Sequence, residues 1–415
     1  MAKSSSLWKD RRFLWLWSGQ SVSALGDQFS ALAFPVLAVT VLGATASDMG
    51  ILNAFSTASF LLVGLIAGAW VDRLIKRQVM LLADLVRFLA LLTIPVLWAS
   101  HSLQMWHIFV VAGILGLAQV FFDVAAQSLV PVLLPAEKIG GANGAMETSR
   151  QITHVGGPSL VGFLLGFLRA PLLILVDAIT FLVSAFTLGM LRDQEVKAPK
   201  ADRQPLVSEI LEGLQFVRSQ KLIRTIALTT GTNNLFGTMV FAMMPLYILR
   251  TLGVTTAQFG IMMSVGAVGG LLGAALCSRL IKLMGEGPLI VASAVLSGLA
   301  ICLQVATILV PQQAQMPMLL ATQFVESFTV LTYNITQVTA RQRLCPPRLL
   351  GRMNATIRFF IWGVMPISSL IAGWIGNVYG VTTAMTLGAI GVLFSSAWVV
   401  FSPIRTMREL PNHAE

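Results

Sequence analysis

Three carboxylates lie inside long apolar runs of this sequence, where an ionised side chain is costly. They are Asp27, Asp123 and Glu326. Because a carboxylate in a low-dielectric surrounding is more stable when neutral, each is a candidate for reversible proton binding. A group that takes up and releases a proton at that depth could couple a proton gradient to the movement of a solute. The alternative is a hydrogen bond to a neighbouring helix or a static pair with Arg87, Arg150 or Arg358.

The composition requires hydrocarbon as the solvent for most of the chain. Of its 415 residues, 56% are hydrophobic and only 11% are charged, and the mean hydropathy is +0.79. A soluble domain carries about 25% charged residues and could not bury so much apolar surface. Since a helix needs about 20 residues to span a bilayer, there is room for about a dozen spans. We therefore predict an all-α membrane protein with twelve transmembrane helices.

A short loop between the second and third apolar runs combines a glycine, an acid and three bases: Gly68, Asp72, Arg73, Lys76 and Arg77. A glycine lets another helix approach closely, and an aspartate at a helix end can face the positive N-terminus of a neighbouring helix. The bases hold the loop on the cytoplasmic side. An ordinary basic anchor would explain the bases but not the glycine and the aspartate at this spacing.

Other charged residues occur at helical spacing. Asp84 and Arg87 lie three residues apart on one face of the third helix, where we expect a structural pair. Glu147 and Arg150 have the same spacing in the fifth helix, which is expected over residues 143–168. Asp177 is expected near the outer end of the sixth helix, as a helix-end residue.

A polar stretch divides the chain into two halves. We predict a six-helix bundle over residues 1–191, a cytoplasmic linker with an amphipathic helix over 192–221, and a second six-helix bundle with a short tail over 222–415. Internal similarity supports this division, because the run from Arg73 to Lys76 recurs as the run from Arg279 to Lys282. Two like-oriented halves of this kind form a parallel repeat.

The distribution of bases indicates the topology. Of the 28 Lys and Arg residues, only Arg169 and Arg250 fall on outer turns. We therefore expect a multi-pass protein of the cell inner membrane with both termini in the cytoplasm. The formal net charge of +10 arises from these loops. No basic face carries interleaved aromatics, so a nucleic-acid partner is not expected.

Several kinds of chemistry are not indicated. Cys277, Cys302 and Cys345 show no paired spacing and are expected as core residues, and the four histidines lack metal-ligand spacing. There is no phosphate-binding loop and no constellation of nucleophile and base. We therefore expect neither an enzyme nor a metal nor a bound cofactor, and the proton gradient is the expected energy source.

The loop around Gly68, Asp72 and Arg73 resembles the signature of the major facilitator superfamily, where it joins the second and third helices. Asp27 followed by Pro35 resembles the first helix of the twelve-helix drug:proton antiporters in that superfamily. The resemblance extends over essentially the whole chain. It implies two parallel six-helix bundles that work by alternating access.

The fifth helix adds a second resemblance. The stretch from Pro135 to Asn143, with the later Gly157 and Pro158, looks like the macrolide-efflux and siderophore-exporter branch. The glycines and proline of this helix resemble the antiporter motif that is linked to export; the matching residues are Gly156, Gly157, Pro158 and Gly162. The match is incomplete, because Val161 stands where a second glycine of the terminal pair is usual.

The resemblance also implies a lock on the cytoplasmic side, in which Asp72 would meet the start of the eleventh helix. The residues expected in this lock are Gly68, Asp72, Arg73, Lys76, Arg77, Asp84, Arg87, Glu147 and Arg150. Burial makes such contacts costly to break one at a time, which suits a switch. The alternative is a set of static structural pairs.

The seventh and tenth helices offer amides, methionines and aromatics for contact with a substrate. The candidates are Asn233, Asn234, Phe236, Met239, Met243, Tyr333, Asn334 and Gln337. Polarizable and aromatic side chains with a few amides suit a large amphiphile. The alternative is that the methionines and phenylalanines only fill the bundle. An apolar Met/Phe cavity would favour drugs, and a basic or polar cavity would favour an anionic siderophore.

The predicted function is secondary active export of amphiphilic drugs such as macrolides, driven by proton entry, as in multidrug efflux and antibiotic resistance. The expected partners are the small-molecule substrate, protons and the lipid bilayer, and the protein is expected to be a monomer. Export of a specific metabolite such as a siderophore, and lipid transport, remain as alternatives. A membrane-embedded enzyme and a non-transporting sensor are disfavoured, because no catalytic constellation and no sizeable soluble domain occur.

Overall fold

The computed structural model describes residues 7–71, 74–191, 214–346 and 350–411, and in these ranges the regular structure is helical throughout. Within these described ranges, twelve helices have 15 or more residues. They are α1 (Arg11–Thr40), α2 (Ala46–Val71), α3 (Lys76–Ala99), α4 (Met105–Leu133), α5 (Ala136–Leu165), α6 (Ala170–Gly189), α7 (Lys221–Leu246), α8 (Thr256–Met284), α9 (Glu286–Ala306), α10 (Gln312–Leu344), α11 (Leu350–Tyr379) and α12 (Val381–Ser395).

Nine of the described helices are long and apolar enough to cross a membrane, judged by length and composition. The three long helices outside this group are α5, α7 and α10, which carry more polar residues. These are also the helices on which the sequence placed the export motif and the substrate candidates. A polar residue in a membrane helix must be buried in protein or line a cavity, so the helices with the weakest apolar signal are the ones to inspect for function.

The chain divides into two compact units, one made of residues 1–43 and 55–201 and the other of residues 44–54 and 202–415. In the first unit, α1 packs on α5 and α6, and α3 packs on α4 and α6. In the second unit, α7 packs on α11 and α12, and α9 packs on α10 and α12. The same helix pairs therefore meet in each unit when α7 is set equivalent to α1, as the internal repeat in the sequence indicates.

The first turns of α2 belong to the second unit. The Ser369 hydroxyl donates to the Asn53 side-chain oxygen at 2.7 Å, and Arg250 donates to the Ala44 carbonyl at 2.8 Å. Residues 192–213, which carry most of the predicted linker and its amphipathic helix, lie outside the described residues, and helix is described from 214 to 219. The domain boundaries inferred from the sequence stay a prediction.

Glycines allow close helix contacts in the second unit. A Cβ added to Gly269 would lie 2.4 Å from the Phe324 carbonyl oxygen, and one added to Gly273 would lie 2.5 Å from the Phe328 carbonyl oxygen. Both glycines are on α8, four residues apart, and both face α10. This spacing of small residues lets two membrane helices approach backbone to backbone.

Helix α5 begins at Ala136, seven residues before the start expected from the sequence. The prediction followed hydropathy, which marks where the chain enters hydrocarbon. Helix formation depends instead on backbone propensity, and Pro135, with φ −59°, has the backbone angle that suits a helix start. The polar first turns of α5 are therefore helical although they are not apolar.

The C-terminal segment folds back on the start of α9. The Glu286 carboxylate accepts a hydrogen bond from the Leu410 N–H at 2.9 Å and pairs with the Arg343 guanidinium at the end of α10. In return, the Glu286 N–H donates to the Arg408 carbonyl at 2.9 Å. Ile404 and Leu410 are buried in one cluster with residues of α7, α9 and α10. The segment thereby fastens the ends of α9 and α10 together.

We expect Glu286→Ala to lower the stability of the purified protein by about 1–3 kcal/mol, because it leaves the Leu410 N–H and Arg343 without their acceptor. Thermal unfolding in detergent measures this loss. Glu409→Ala is the matched control, since Glu409 lies in the same segment and is exposed. Equal melting temperatures for the two variants would show that the contact does not hold the segment.

Candidate functional site

A cavity of about 190 Å³ lies inside the first unit, between α1, α2, α3, α4 and α6. Its lining combines two carboxylates, a guanidinium, an amide and hydroxyls with apolar side chains. The polar lining residues are Asp27, Ser30, Ser56, Arg87, Gln119 and Asp177. A small cavity that gathers titratable groups inside a membrane helix bundle is a candidate site for ions or for the charged part of a substrate.

Asp177 lies inside the bundle and not near the outer end of α6, so our expectation for it was wrong. The residue is 1% exposed, about two turns into the helix. Its carboxylate accepts a hydrogen bond from the Ser30 hydroxyl of α1. The Thr180 hydroxyl lies 2.7 Å from the Asp177 carbonyl oxygen and 3.2 Å from its carboxylate. The rule that an acid within a membrane helix marks function would have found it from the sequence.

A glycine of α1 makes room for this carboxylate. A Cβ added to Gly26 would lie 2.4 Å from an Asp177 carboxylate oxygen. Gly26 directly precedes Asp27, so the close contact of α1 with α6 brings the two acids to one cavity. No special backbone angle is required here, and the glycine is needed for its missing side chain.

Arg87 lies at the centre of the unit and is 1% exposed. Its guanidinium carbon is 4.7 Å from the centroid of the Phe122 ring and 5.0 Å from that of the Phe181 ring, which is cation–π distance. Its Nη1 is 3.7 Å from an Asp84 carboxylate oxygen. Its Nε and Nη2 find no hydrogen-bond acceptor among the described residues. The Asp84–Arg87 pair expected from their spacing is present and buried.

The three proton-binding candidates from the sequence have different surroundings. Asp27 lines the first-unit cavity, within electrostatic reach of Arg87 and Asp123. Asp123 is exposed and accepts a hydrogen bond from Gln119 at 2.9 Å. In the second unit, Glu326 accepts from Gln323 and from Ser327, each at 3.2 Å. Asp27 is the candidate that is brought into a cavity with other titratable groups.

The second unit has a cavity of about 90 Å³ with an uncharged polar lining. Four substrate candidates line it, namely Asn233, Asn234, Tyr333 and Asn334. The Tyr333 hydroxyl lies 3.0 Å from the Thr230 hydroxyl, and the Asn234 amide donates to the Ile361 carbonyl at 3.3 Å. The cavity therefore offers hydroxyl and amide groups for hydrogen bonds and no charge.

The other four substrate candidates are not among the residues that line this cavity. Phe236 packs against Gly391 of α12, Met239 packs against Gly388, and Met243 packs against Gly376 of α11. Gln337 is 3% exposed within α10. The second-unit cavity therefore has no Met or Phe among its lining residues, because Phe236, Met239 and Met243 fill the space that glycines leave between helices, whereas Phe34 and Phe181 line the first-unit cavity.

The lock residues that the structure describes make contacts within the first unit. Arg77 donates to the Leu188 and Gly189 carbonyls, both at 2.8 Å, and so satisfies the last turn of α6. Lys76 is buried. Glu147 and Arg150 form an exposed ion pair at 2.9 Å on one face of α5. Asp72, Arg73 and the surroundings of Gly68 lie outside the described residues.

The glycines of the export motif have different neighbours. A Cβ added to Gly157 would lie 2.4 Å from the Gln28 Cγ of α1, whereas no atom of the described residues lies within 4 Å of one added to Gly156. Pro158 is half-buried and Gly162 is buried in α5. Gly157 thus fixes the distance between α5 and α1, one residue away from Asp27 on the facing helix.

This architecture is that of the major facilitator transporters. A bacterial homologue of the iron transporter ferroportin in an inward-facing state matches 95% of this chain and 99% of its own with a TM-score of 0.74, at 16% sequence identity. An inward-facing, unoccupied bacterial homologue of the lysosomal transporter Spinster matches 96% of both chains with a TM-score of 0.66, at 13% identity. These likenesses establish the fold.

Residues 4–414 match the transmembrane secretion effector family, and the chain belongs to that family of the major facilitator superfamily. It is 27% identical to the multidrug efflux pump Tap of Mycolicibacterium fortuitum over 397 residues, which is 93% of each chain. It is 22% identical to macrolide efflux protein A of Streptococcus pyogenes over 405 residues, covering 97% of this chain and 98% of that one. The predicted superfamily, the all-α membrane fold and the non-enzymatic transporter class are confirmed, while the count of twelve membrane spans stays a prediction.

We expect Gly157→Ala to destabilise the first unit by about 1–3 kcal/mol, because the methyl group overlaps the base of the Gln28 side chain and α1 has to move. Gly156→Ala is the matched control and should be neutral, since its methyl group enters open space. Melting temperature and transport activity, measured side by side, test this pair. Two variants of equal stability would contradict the assigned contact between α1 and α5.

Proposed function

We propose that the protein exports amphiphilic drugs across the cell membrane in exchange for protons, and that it prefers cationic amphiphiles. The names of its relatives support drug efflux, because one is called a multidrug efflux pump and another a macrolide efflux protein. The observation that carries the preference for cations is the lining of the first-unit cavity. It holds the carboxylates of Asp27 and Asp177, while its guanidinium, Arg87, already has Asp84 beside it.

The polar second-unit cavity meets the criterion set for a siderophore, but the acidic lining of the first-unit cavity argues against an anionic substrate. An anion cannot replace the protons of the two carboxyl groups in the first-unit cavity, and it would meet a like charge whenever either group is ionised. The second-unit cavity carries no charged lining residue among those described. Its amides and hydroxyls suit the uncharged polar groups of a large amphiphile, which need hydrogen bonds once they leave water.

Proton coupling is proposed to act through Asp27. A cation and a proton compete for the same carboxylate, so binding of one releases the other. When Asp27 is neutral, the cation loses its partner and leaves the site. When Asp27 is ionised, the site holds a cation again. With alternating access, the cation is bound from the cytoplasm and released outside, while the proton is bound outside and released into the cytoplasm. The inward proton gradient then drives export.

The same proposal includes the arrangement of the protein in the membrane. Both termini lie on the cytoplasmic side, as the positive-inside rule indicates. The loop bases and the Glu147–Arg150 pair belong to a cytoplasmic lock that opens and closes during transport, and the protein acts as a monomer. Glu326, with its hydrogen bonds from Gln323 and Ser327, is the proton-binding candidate of the second unit.

Asp27→Asn should abolish proton-driven uptake of ethidium into inside-out vesicles while the protein still folds, since the amide cannot bind or release a proton. Ethidium has a fixed charge and brings no proton of its own. Asp48→Asn is the matched control, because the Asp48 carboxylate accepts hydrogen bonds from Thr45 at the start of α2 and does not line the cavity. Uptake that persists in the wild type after an uncoupler is added would refute proton coupling.

A further inference from the structure

The first-unit cluster contains more buried acid than buried base. The charged and titratable groups that face the cavity region are Asp27 on α1, Asp84 and Arg87 on α3, Asp123 on α4 and Asp177 on α6. Asp123 is exposed and is not among the residues that line the cavity. Among the described residues this leaves three carboxylates, with Asp84 and Asp177 buried and Asp27 half-buried, and the one buried guanidinium of Arg87. One guanidinium can offset only one of these three carboxylates, so the cluster holds two more carboxyl groups than its cation balances.

Two uncompensated negative charges in one small cavity are strongly unfavourable away from water. The cluster becomes neutral when both Asp27 and Asp177 carry a proton. It also becomes neutral when a positively charged ligand takes the place of one proton for each unit of its charge. The number of protons that the resting cavity can exchange therefore equals the number of carboxyl groups that its guanidinium does not balance.

The hydrogen bonds around Asp177 are compatible with both of its protonation states. A hydroxyl can donate to an ionised carboxylate and can accept from a protonated one. The Ser30 hydroxyl contacts the Asp177 carboxylate from the neighbouring helix. The Thr180 hydroxyl has a single hydrogen and lies nearer to the Asp177 carbonyl oxygen, at 2.7 Å, than to its carboxylate, at 3.2 Å. When the Thr180 hydroxyl donates to the carbonyl oxygen, its own oxygen can accept a hydrogen bond from a protonated Asp177 carboxyl group.

Arg87 has hydrogen-bond donors at the cavity that no described residue uses. Its side chain is 1% exposed and lines the cavity, yet Nε and Nη2 have no hydrogen-bond acceptor among the described residues. Unsatisfied donors on a buried guanidinium are costly. They are available to a carboxylate that has lost its proton, so ionisation of Asp27 or Asp177 is stabilised from within the cavity.

We infer that Asp177 is a second exchangeable carboxyl group beside Asp27, so that the first-unit cavity releases about one proton for a singly charged amphiphile and about two for a doubly charged one. This inference rests on the proposed exchange of protons for cationic amphiphiles and adds the stoichiometry and the second site. In each exchange an O–H bond of Asp27 or Asp177 breaks, the proton passes to water, and the carboxylate charge is balanced by the incoming cation.

Ethidium and propidium test this inference, because they share one ring system and carry one and two fixed positive charges. Purified protein in weakly buffered detergent solution is mixed with each dye, and a pH indicator records the protons released per dye bound. The wild type should release about twice as many protons with propidium as with ethidium. Asp177→Asn should release equal numbers with the two dyes, because the amide oxygen keeps the hydrogen bond from Ser30 but holds no proton.

Ser30→Ala provides a second variant in case Asp177→Asn does not fold. Loss of the hydroxyl donor should make the second proton harder to release, so that propidium binding weakens several-fold while ethidium binding changes little. A twofold propidium-to-ethidium ratio that survives in Asp177→Asn would overturn the role of Asp177. If the wild type released equal numbers of protons with the two dyes, the inference of two exchangeable protons would be overturned and the proposed function would stand. No release with either dye would refute both.

Discussion

An ionised group without a partner is very costly inside a membrane helix bundle, and this constraint determines the functional interior of the protein. The first unit buries Arg87 between two aromatic rings and places Asp84 at 3.7 Å from it. It then adds Asp27 and Asp177 around one cavity, and Arg87 is the one cation among the described residues that line it. Such an imbalance is stable only when protons or a cationic ligand neutralise it. The excess of carboxyl groups makes the ionised, empty cavity unfavourable, and it also makes the cavity suitable for exchanging protons for a cation.

Helix packing sets the geometry of this imbalance. Gly26 lets α1 approach the Asp177 carboxylate, and Gly157 lets α5 approach the Gln28 side chain two residues further along α1. Helix α1 is thus held closely on two sides at the level of Asp27. In the second unit, Gly269 and Gly273 set α8 against backbone carbonyls of α10. There the cavity is lined by amides and hydroxyls, so the two units combine a titratable site with an uncharged one.

The sequence predicted those features that depend on position along the chain. Hydropathy located the helices, the loop motif and Asp27 indicated the superfamily, and the spacing of Asp84 and Arg87 indicated their pair. The sequence did not predict which side chains of a helix face a cavity and which face a neighbouring helix, because this depends on the rotation of the helix about its axis. Met239 and Met243 turn toward glycines of neighbouring helices, while Asn233 and Asn234 turn toward a cavity, and the composition of α7 does not distinguish these directions. Asp177 was misplaced along the helix axis: it lies about two turns inside α6, where it meets Ser30 of α1.

The central claim is that buried carboxyl groups of the first unit are protonated at neutral pH and lose protons when a cation binds. Infrared difference spectroscopy of the purified protein measures this directly, because a protonated carboxyl group has a C=O stretch that an ionised one lacks. The account predicts a protonated carboxyl band in the resting protein that diminishes when ethidium is added and that is smaller in a variant without Asp27. A resting protein without such a band, or a band that ethidium binding leaves unchanged, would contradict it.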